Sequence, residues 1–234
     1  MSGPLTATLS ARAIIAPGIA DLRFTMQSPA ALNFKGGQFV SLSVDPSLPR
    51  RSYSIASQSD HGESVRLILR VIEGGPASAY LMAMPLGAPL AMTGPHGFFT
   101  LEDQHPGDIV FAATGTGVAA VMPMLGELAA RPATGRRLLA WGLRHPEDIF
   151  AHDEIETLCR AAGVELDIHL TLPPPDWSGT SGRITGTILN HFSRLAAPTF
   201  YLVGNGAMID ELKRALVEKG VNRKRQIRTE AFFD

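Results

Sequence analysis

The sequence predicts two domains: a six-stranded, Greek-key-like antiparallel β-barrel, then an α/β domain built on a parallel sheet. Three observations carry this expectation. Short strand-like segments bounded by Gly, Pro, Asp or Ser fill residues 5–101. From "DIVFAAT" onward, strand and helix patterns alternate to the end of the chain. A glycine-rich turn, "ATGTGVAA", lies where the first parallel strand meets the first helix.

In order, the barrel strands are "LTATLSARAII", "LRFTM", "QFVSLSV", "SYSIA", "VRLILRVI" and "PLAMT", several of them alternating with period two. Only "PASAYLMAM" has helix-like spacing in this half. After "LEDQHPGD" the segments lengthen and become continuously apolar, as strands buried on both faces require. They are "DIVFAAT", the helix "GVAAVMPMLGELAAR", "RRLLAWG", the helix "HDEIETLCRAAG", "VELDIHLTL", the helix "TGTILNHF", "TFYLVGN", the helix "AMIDELKRALVEKG" and "QIRTEAFF". The boundary falls around Gln104–Gly107, giving domains 1–104 and 105–234.

Composition narrows the function classes. The chain has 234 residues, an apolar share of 45% and a formal net charge of −1. That charge offers no electrostatic case for nucleic acid or a membrane surface. The longest apolar runs are too short for a bilayer, and the N-terminus lacks the pattern of a signal peptide. A cytoplasmic protein without membrane attachment is expected. One cysteine, Cys159, excludes an internal disulfide, and its helical setting suggests a buried, inert thiol. The seven histidines are scattered, without metal-ligand spacing. Trp141 and Trp177 read as packing residues, and "RKR", Arg223 to Arg225, as a solvated loop.

Two stretches carry chemistry. "PRRSYSIAS" sets two arginines before a Ser-Tyr-Ser-Ile strand, an unusual content for a half-buried segment. In "ATGTGVAA", Gly115, Gly117 and Ala120 satisfy G-x-G-x-x-A, with Thr114 and Thr116 beside the glycines. Glycines there permit a tight turn and close backbone approach to a phosphate, which the helix N-terminus then attracts. The next strand ends with Arg144 where a dinucleotide-binding fold usually carries a ribose-binding acid, and no Walker lysine follows the glycines. A pyrophosphate-containing ligand is expected, without nucleotide hydrolysis.

Together these motifs resemble the ferredoxin–NADP reductase superfamily over nearly the whole chain. Six stretches carry the likeness: Arg51-Ser52-Tyr53-Ser54, "GGPAS", "GPHGFF", "GTGVAA" with "WGLR", "VGNGAM" and the ending "EAFF". The resemblance implies that Arg51 holds flavin phosphate, Tyr53 packs on the isoalloxazine and the Ser54 hydroxyl reaches the N5 region, with Ser52 between them. Gly74, Gly75 and Ser78 would receive the flavin pyrophosphate. Thr114, Gly115, Thr116, Gly117 and Arg144 would hold the nicotinamide nucleotide, and Gly204, Asn205 and Met208 would flank the nicotinamide; apart from the resemblance, Arg183 in "SGRITG" reads equally as a ligand of a ribose phosphate and as a surface arginine. Glu230 would be the acid near N5 and Phe232 the ring over the flavin, although Phe233 follows and competes for that place. Ser54, Glu230 and Phe232 are thus the implied catalytic residues. Ala120 and Val203 stand where the family carries proline and cysteine.

The cofactor implied is FAD, with FMN as the alternative, reduced by NADPH or NADH. The resemblance implies a flavoprotein passing electrons to a separate ferredoxin, flavodoxin, oxygenase component or small acceptor. A flavin-free dehydrogenase, a non-enzymatic nucleotide-binding redox sensor and an electron-transfer subunit of a larger complex stay open.

Overall fold

The structure is a computed structural model that describes residues 5–44, 49–58, 62–103 and 107–232. Strands β1 (Leu5–Ala16), β2 (Ile19–Ser28), β3 (Phe39–Ser43), β4 (Arg51–Ser54), β5 (Ser64–Arg70) and β6 (Pro89–His96) form the first unit, with helix α1 (Pro76–Ala83) before β6. Their order is β4-β3-β6-β1-β2-β5, with every pairing antiparallel. A bridge between Ile55 and Leu67, backed by an Ala56 N–H donating to the Arg66 carbonyl at 2.8 Å, closes the sheet into a barrel. Period-two alternation turns Leu9, Leu22, Phe24, Val40, Leu42 and Leu67 into its interior.

The second unit runs β7 (Ile109–Thr114), α2 (Val118–Ala129), β8 (Arg137–Leu143), α3 (His152–Ala162), β9 (Glu165–Leu170), β10 (Thr180–Ser181), α4 (Ile184–His191), β11 (Thr199–Asn205), α5 (Gly206–Glu218), α6 (Arg223–Gln226) and β12 (Ile227–Phe232). The six strands are parallel, in the order β10-β9-β8-β7-β11-β12. Residues of α2 and α3 cover one face with Phe111, Leu139 and Trp141, and those of α4 and α5 cover the other with Val110, Ala112, Phe200 and Leu202. The chain builds outward from β7 to β10, then returns to β11 on the other side. Crossovers therefore leave in opposite directions from β7 and β11, opening a crevice at their C-terminal ends. "RKR", expected as loop, is the single turn α6, ordered by the Asn222 side chain accepting from the Lys224 and Arg225 N–H groups.

The two units share a core. Ile19, Ala56, Ile68, Phe99 and Leu101 of the first pack in one cluster with Phe111, Val118, Met122, Met124 and Tyr201 of the second. Phe99 meets the Tyr201 ring edge-on at 5.8 Å, and Tyr201 stacks on Phe111 at 5.2 Å. At Gly36 the barrel touches α2 so closely that a Cβ would lie 2.7 Å from the Met124 nitrogen. The Gly36 N–H donates to Glu127 Oε1 at 2.5 Å, and Gln58 Nε2 donates to the Met122 carbonyl at 3.3 Å.

Polar closure of this interface rests on Arg66, 8% exposed. Its guanidinium binds both Asp21 carboxylate oxygens within the barrel, at 2.9–3.1 Å, and reaches Glu154 on α3 at 2.6 Å. Burial opposes the charge, but the hydrogen bonds to Glu154 and Asp21 outweigh it and hold the guanidinium more firmly protonated. Removing the cation would leave Asp21 buried and uncompensated. Arg66→Met should therefore cost about 3–5 kcal/mol of stability. Glu154, with its side chain 44% exposed, can be rehydrated, so Glu154→Gln should cost no more than about 1 kcal/mol. Urea denaturation of both variants compares the two losses directly.

Candidate active site

At the open ends of β7, β8 and β11, facing the barrel strand β4, lies a cleft of about 1100 Å³. Cofactor and ligand pockets usually span about 300–1,000 Å³, so this one is at the large end of that range. Fourteen residues expected from sequence line it: Arg51, Ser52, Tyr53, Ser54, Thr114, Gly115, Thr116, Arg144, Arg183, Gly204, Asn205, Met208, Glu230 and Phe232. They come from both units and from positions nearly 180 residues apart, brought together by the shared core. Phe233 lies outside the described residues.

On the barrel side, β4 pairs with β3 so that Tyr53 stands opposite Val40, and Ser54 opposite Phe39. Period two alone puts Tyr53 and Ser54 on opposite faces. Both nevertheless line the cleft, because β4 ends at Ser54 and the chain turns into the Ile55–Leu67 bridge. Arg51 is exposed at the mouth, whereas Ser54 is buried. Burial raises the Tyr53 phenol above its usual value against the opposing effect of Arg51, so at neutral pH it is a neutral, partly desolvated ring. The Ser52 hydroxyl is paired with that of Ser41 at 2.9 Å.

On the other side, the glycine turn forms a short 3-10 turn, Gly115–Gly117, leading into α2. Its two glycines do different work. Gly115 has φ +53° and nothing within 4 Å of where a Cβ would lie, so its backbone is open to the cleft. Gly117 is buried, and a Cβ there would sit 3.0 Å from the Val203 carbonyl. Gly117 thus sets how closely α2 packs on β11. Of the expected turn residues, Gly115 and Thr116 line the cleft and Gly117 does not. Trp141, read from sequence as packing, also donates from Nε1 to the Gly115 carbonyl at 3.0 Å and pins the turn from below.

The "VGNG" turn is similarly tied. Gly204, at φ +111°, leaves no space for a Cβ, which would fall 2.4 Å from Thr114 Oγ1. Thr114 Oγ1 in turn accepts the Asn205 N–H at 2.8 Å. The Asn205 side chain caps α5 by accepting from the Met208 N–H at 3.0 Å. Val203 is fully buried in the shared core and does not line the cleft.

Four expected residues lie outside the cleft lining: Gly74, Gly75, Ser78 and Gly117. Ser78 is buried, its hydroxyl spanning the Ile72 N–H, at 3.2 Å, and the Ile72 carbonyl, at 3.0 Å. It fastens α1 to the end of β5, next to Ile72, which does border the cleft. Arg183, expected at a ribose phosphate, stands at the rim in an ion pair with Glu211 at 2.6 Å. Conversely, Phe39, Arg50, Arg70 and Asp148 line the cleft and were not expected as site residues. The doubled arginine of "PRRSYS" was a signal for Arg50; nothing in the alternation of "QFVSLSV" separates Phe39 from a core ring.

The lining includes five arginines, Arg50, Arg51, Arg70, Arg144 and Arg183, against the two carboxylates Asp148 and Glu230. A concave site of this sign concentrates anions. Cys159 lies buried elsewhere, its thiol pushed up to about 12 by burial, and is inert as expected. No cluster of metal-binding side chains occurs among the described residues.

The comparisons agree with the two-unit architecture. Residues 6–101 match an oxidoreductase FAD-binding domain and residues 111–214 an oxidoreductase NAD-binding domain. The chain is 34% identical over 233 residues to ferredoxin–NADP reductase B of Sorangium cellulosum, covering 94% of this chain and 95% of that one. It is 27% identical to DmpP, the phenol 2-monooxygenase reductase component of a Pseudomonas species, over 96% of this chain but 64% of that one. A crystal structure of the Amycolatopsis cytochrome P450 reductase GcoB superposes with TM-score 0.89 at 26% identity, covering 98% of this chain and 70% of that one. A Neisseria gonorrhoeae ferredoxin NADP+ reductase with bound FAD and NADP superposes over the full length of both chains, with TM-score 0.83 at 22% identity, a likeness of fold.

Glu230 supplies a test of the site's electrostatics. Burial raises its carboxyl above the usual glutamate value of 4.5. A carboxyl raised on folding stabilises the fold below its unfolded pKa, and that contribution is lost as pH rises through the folded value. Glu230→Gln, which cannot ionise, should therefore be the more stable protein at neutral pH. The advantage should vanish below the ordinary glutamate value. Denaturation midpoints for parent and variant at neutral and acid pH check this; equal midpoints at neutral pH would mean that the carboxylate is fully hydrated.

Proposed function

We propose, because the chain belongs to the ferredoxin–NADP reductase superfamily, that it oxidises NADPH or NADH through bound FAD and passes the electrons to a separate acceptor. The single observation that carries this reading is one cleft in which Arg51, Tyr53 and Ser54 of the barrel face Gly115, Thr116 and Glu230 of the parallel-sheet unit. Domains 1–104 and 105–234 are the flavin-binding and NAD(P)-binding units; that division lies between the two matched stretches. The barrel's match to an FAD-binding domain leaves a flavin-free dehydrogenase without support.

The residues present fit the two ligands. Arg51, exposed at the mouth, suits a phosphate oxygen as a charge-assisted donor. The neutral Tyr53 ring offers a flat apolar face, and the buried Ser54 hydroxyl a short-range hydrogen bond beside it. The open Gly115 backbone and the N-terminus of α2 suit a nucleotide phosphate. Arg144, exposed at the end of β8, fits a further phosphate; Arg183 reaches one only by exchanging Glu211 for it. Bound flavin supplies hydride acceptance followed by release of electrons to the acceptor. The protein's part is to hold the two rings together and place a partly desolvated Glu230 near them, where it can hold a proton at its carboxyl oxygen. No described helix is long and apolar enough to cross a membrane. We place the protein in the cytoplasm, where its nucleotide substrates circulate. The acceptor is a ferredoxin, a flavodoxin, an oxygenase component or a small molecule. The first and third are in line with the names of the Sorangium and Pseudomonas relatives.

The purified protein should be yellow and bleach on anaerobic addition of NADPH or NADH. A colourless protein that cannot be reconstituted with FAD or FMN contradicts the proposal. Arg51→Ala should weaken flavin retention by about 1.5–3 kcal/mol, the contribution of one charged hydrogen bond, read by fluorescence on flavin release.

Phe232, half-buried at the end of β12 and opposite Asn205, would lie where nicotinamide must stack. Aromatic stacking contributes about 0.5–1.5 kcal/mol beyond area burial. Phe232→Ser should tighten oxidised-nucleotide binding by roughly that amount and lower turnover through slower release. Spectral titration with NADP+ and NAD+ measures the first effect, and an unchanged affinity rules out Phe232 as the cap.

A further inference from the structure

Glu230 and Phe232 reach the cleft from an edge strand. β12 pairs with β11 alone, from Ile227 opposite Phe200 to Phe232 opposite Asn205. Along it, Arg228, Glu230 and Phe232 are half-buried, whereas Thr229 and Ala231 are exposed. Period two places the three half-buried side chains on one face of the strand. Glu230 and Phe232 line the cleft and Arg228 does not. Arg228 is therefore the root of this face, the last position before the strand enters the cleft.

That root is tied down by a network that starts in the barrel. Arg228 Nη1 donates to the Lys224 carbonyl at 3.0 Å and to the Ile227 carbonyl at 3.2 Å, and Nη2 pairs with Glu102. Glu102 follows Leu101 of the shared core and is itself fixed through its backbone. Its N–H donates to Tyr201 Oη at 3.2 Å, and its carbonyl accepts from Arg131 Nη1 at 2.6 Å. Arg131 pairs with Glu127 at 3.8 Å, and Glu127 accepts the Gly36 N–H of the barrel. An isolated surface ion pair contributes little, because two flexible side chains must be ordered to make it. Here the carboxylate stands on a fixed backbone and the guanidinium is already held by two carbonyls, so pairing orders little more.

We infer that Glu102 is a positioning residue: through Arg228 it holds the root of β12, and so sets how readily Phe232 swings out of the nicotinamide's place. The inference rests on the proposed function, in which the ring must leave before nicotinamide stacks. A strand held at its root favours the position with the ring in the cleft. The fraction of molecules with the ring displaced then scales the apparent affinity for nucleotide. Glu102 lies outside the cleft lining and acts as a brake on nucleotide entry from a distance.

Glu102→Ala removes the carboxylate and leaves both backbone bonds in place. Hydrogen exchange of the purified protein should then quicken at the C-terminal end of β12 and stay unchanged in β11. In spectral titration of the flavin-loaded protein, NADP+ or NAD+ should bind about threefold more tightly, within the range of one partly exposed ion pair. Glu102→Gln keeps an oxygen for the guanidinium and should stay near the parent. Glu156→Ala, which breaks the exposed pair with Arg160 on α3, should alter neither measurement. In a Phe232→Ser background, Glu102→Ala should leave affinity unchanged, because the ring it restrains is gone. Unchanged or weaker nucleotide binding by Glu102→Ala, an equal effect with and without the Phe232 ring, or unaltered exchange in β12 each overturns the positioning role. General damage to the cleft would weaken binding in both backgrounds and is told apart in this way. An affinity unchanged by Phe232→Ser overturns the cap itself, and this inference with it. A parent that binds neither nucleotide overturns the proposed function as a whole.

Discussion

Everything in the cleft depends on the two units sharing one apolar core. Phe99 of the barrel against Tyr201 and Phe111 of the parallel sheet, with Gly36 in van der Waals reach of α2, sets the distance between β4 and the ends of β7 and β11. Interfaces between domains are commonly polar and mobile. This one is closed by buried aromatic rings and the buried Arg66–Asp21 pair, which reaches across to Glu154, so Tyr53 and Gly115 face one another across a fixed gap. A site assembled from two units holds its geometry only if the joint is as stiff as either unit.

The same constraint explains the division of labour among the glycines. At Gly36 and Gly204 backbone meets backbone or a threonine side chain and no Cβ fits, and at Gly117 one would fit only tightly against β11. They set spacings within and between units. Gly115 faces open space at a positive φ and is the one free to approach a ligand. A G-x-G pattern can therefore hold one glycine that packs and one that faces open space, and only the direction of the missing Cβ distinguishes them.

Much of this was legible in the chain, because periodicity reports burial. The barrel and the alternating second unit follow from patterns two to eight residues long, whereas the residues on β4 and β11 were picked out by the family resemblance and not by their period. What escaped depends on partners far away in sequence. Ser78 stands beside glycines in the sequence, and only the structure shows that its hydroxyl also ties Ile72 and Gly75 to the start of α1. Arg66, in "VRLILR", carries no local sign of its partners Asp21 and Glu154, which are 45 and 88 residues away. Strand β10 has two residues after a proline-rich loop, too few to show a period. Trp141 is apolar by count but polar by deed, and no local pattern reveals which carbonyl it holds.

Closure of the barrel through Ile55 and Leu67 also bears on how the protein avoids self-association. A closed sheet has no free edge, whereas the parallel sheet has two, at β10 and β12. Unpaired strand edges are templates for aggregation. The first is cut to two residues behind Pro173, Pro174 and Pro175, which cannot extend a ladder. The second carries Arg228 and Glu230 at alternating positions, with Arg228 tied to Glu102. An incoming strand would have to strip water from those charges or break that pair. Glu230, which lines the cleft, thus also serves as a gatekeeper on this edge, and neutralising it removes one of the charges that protect the strand from pairing.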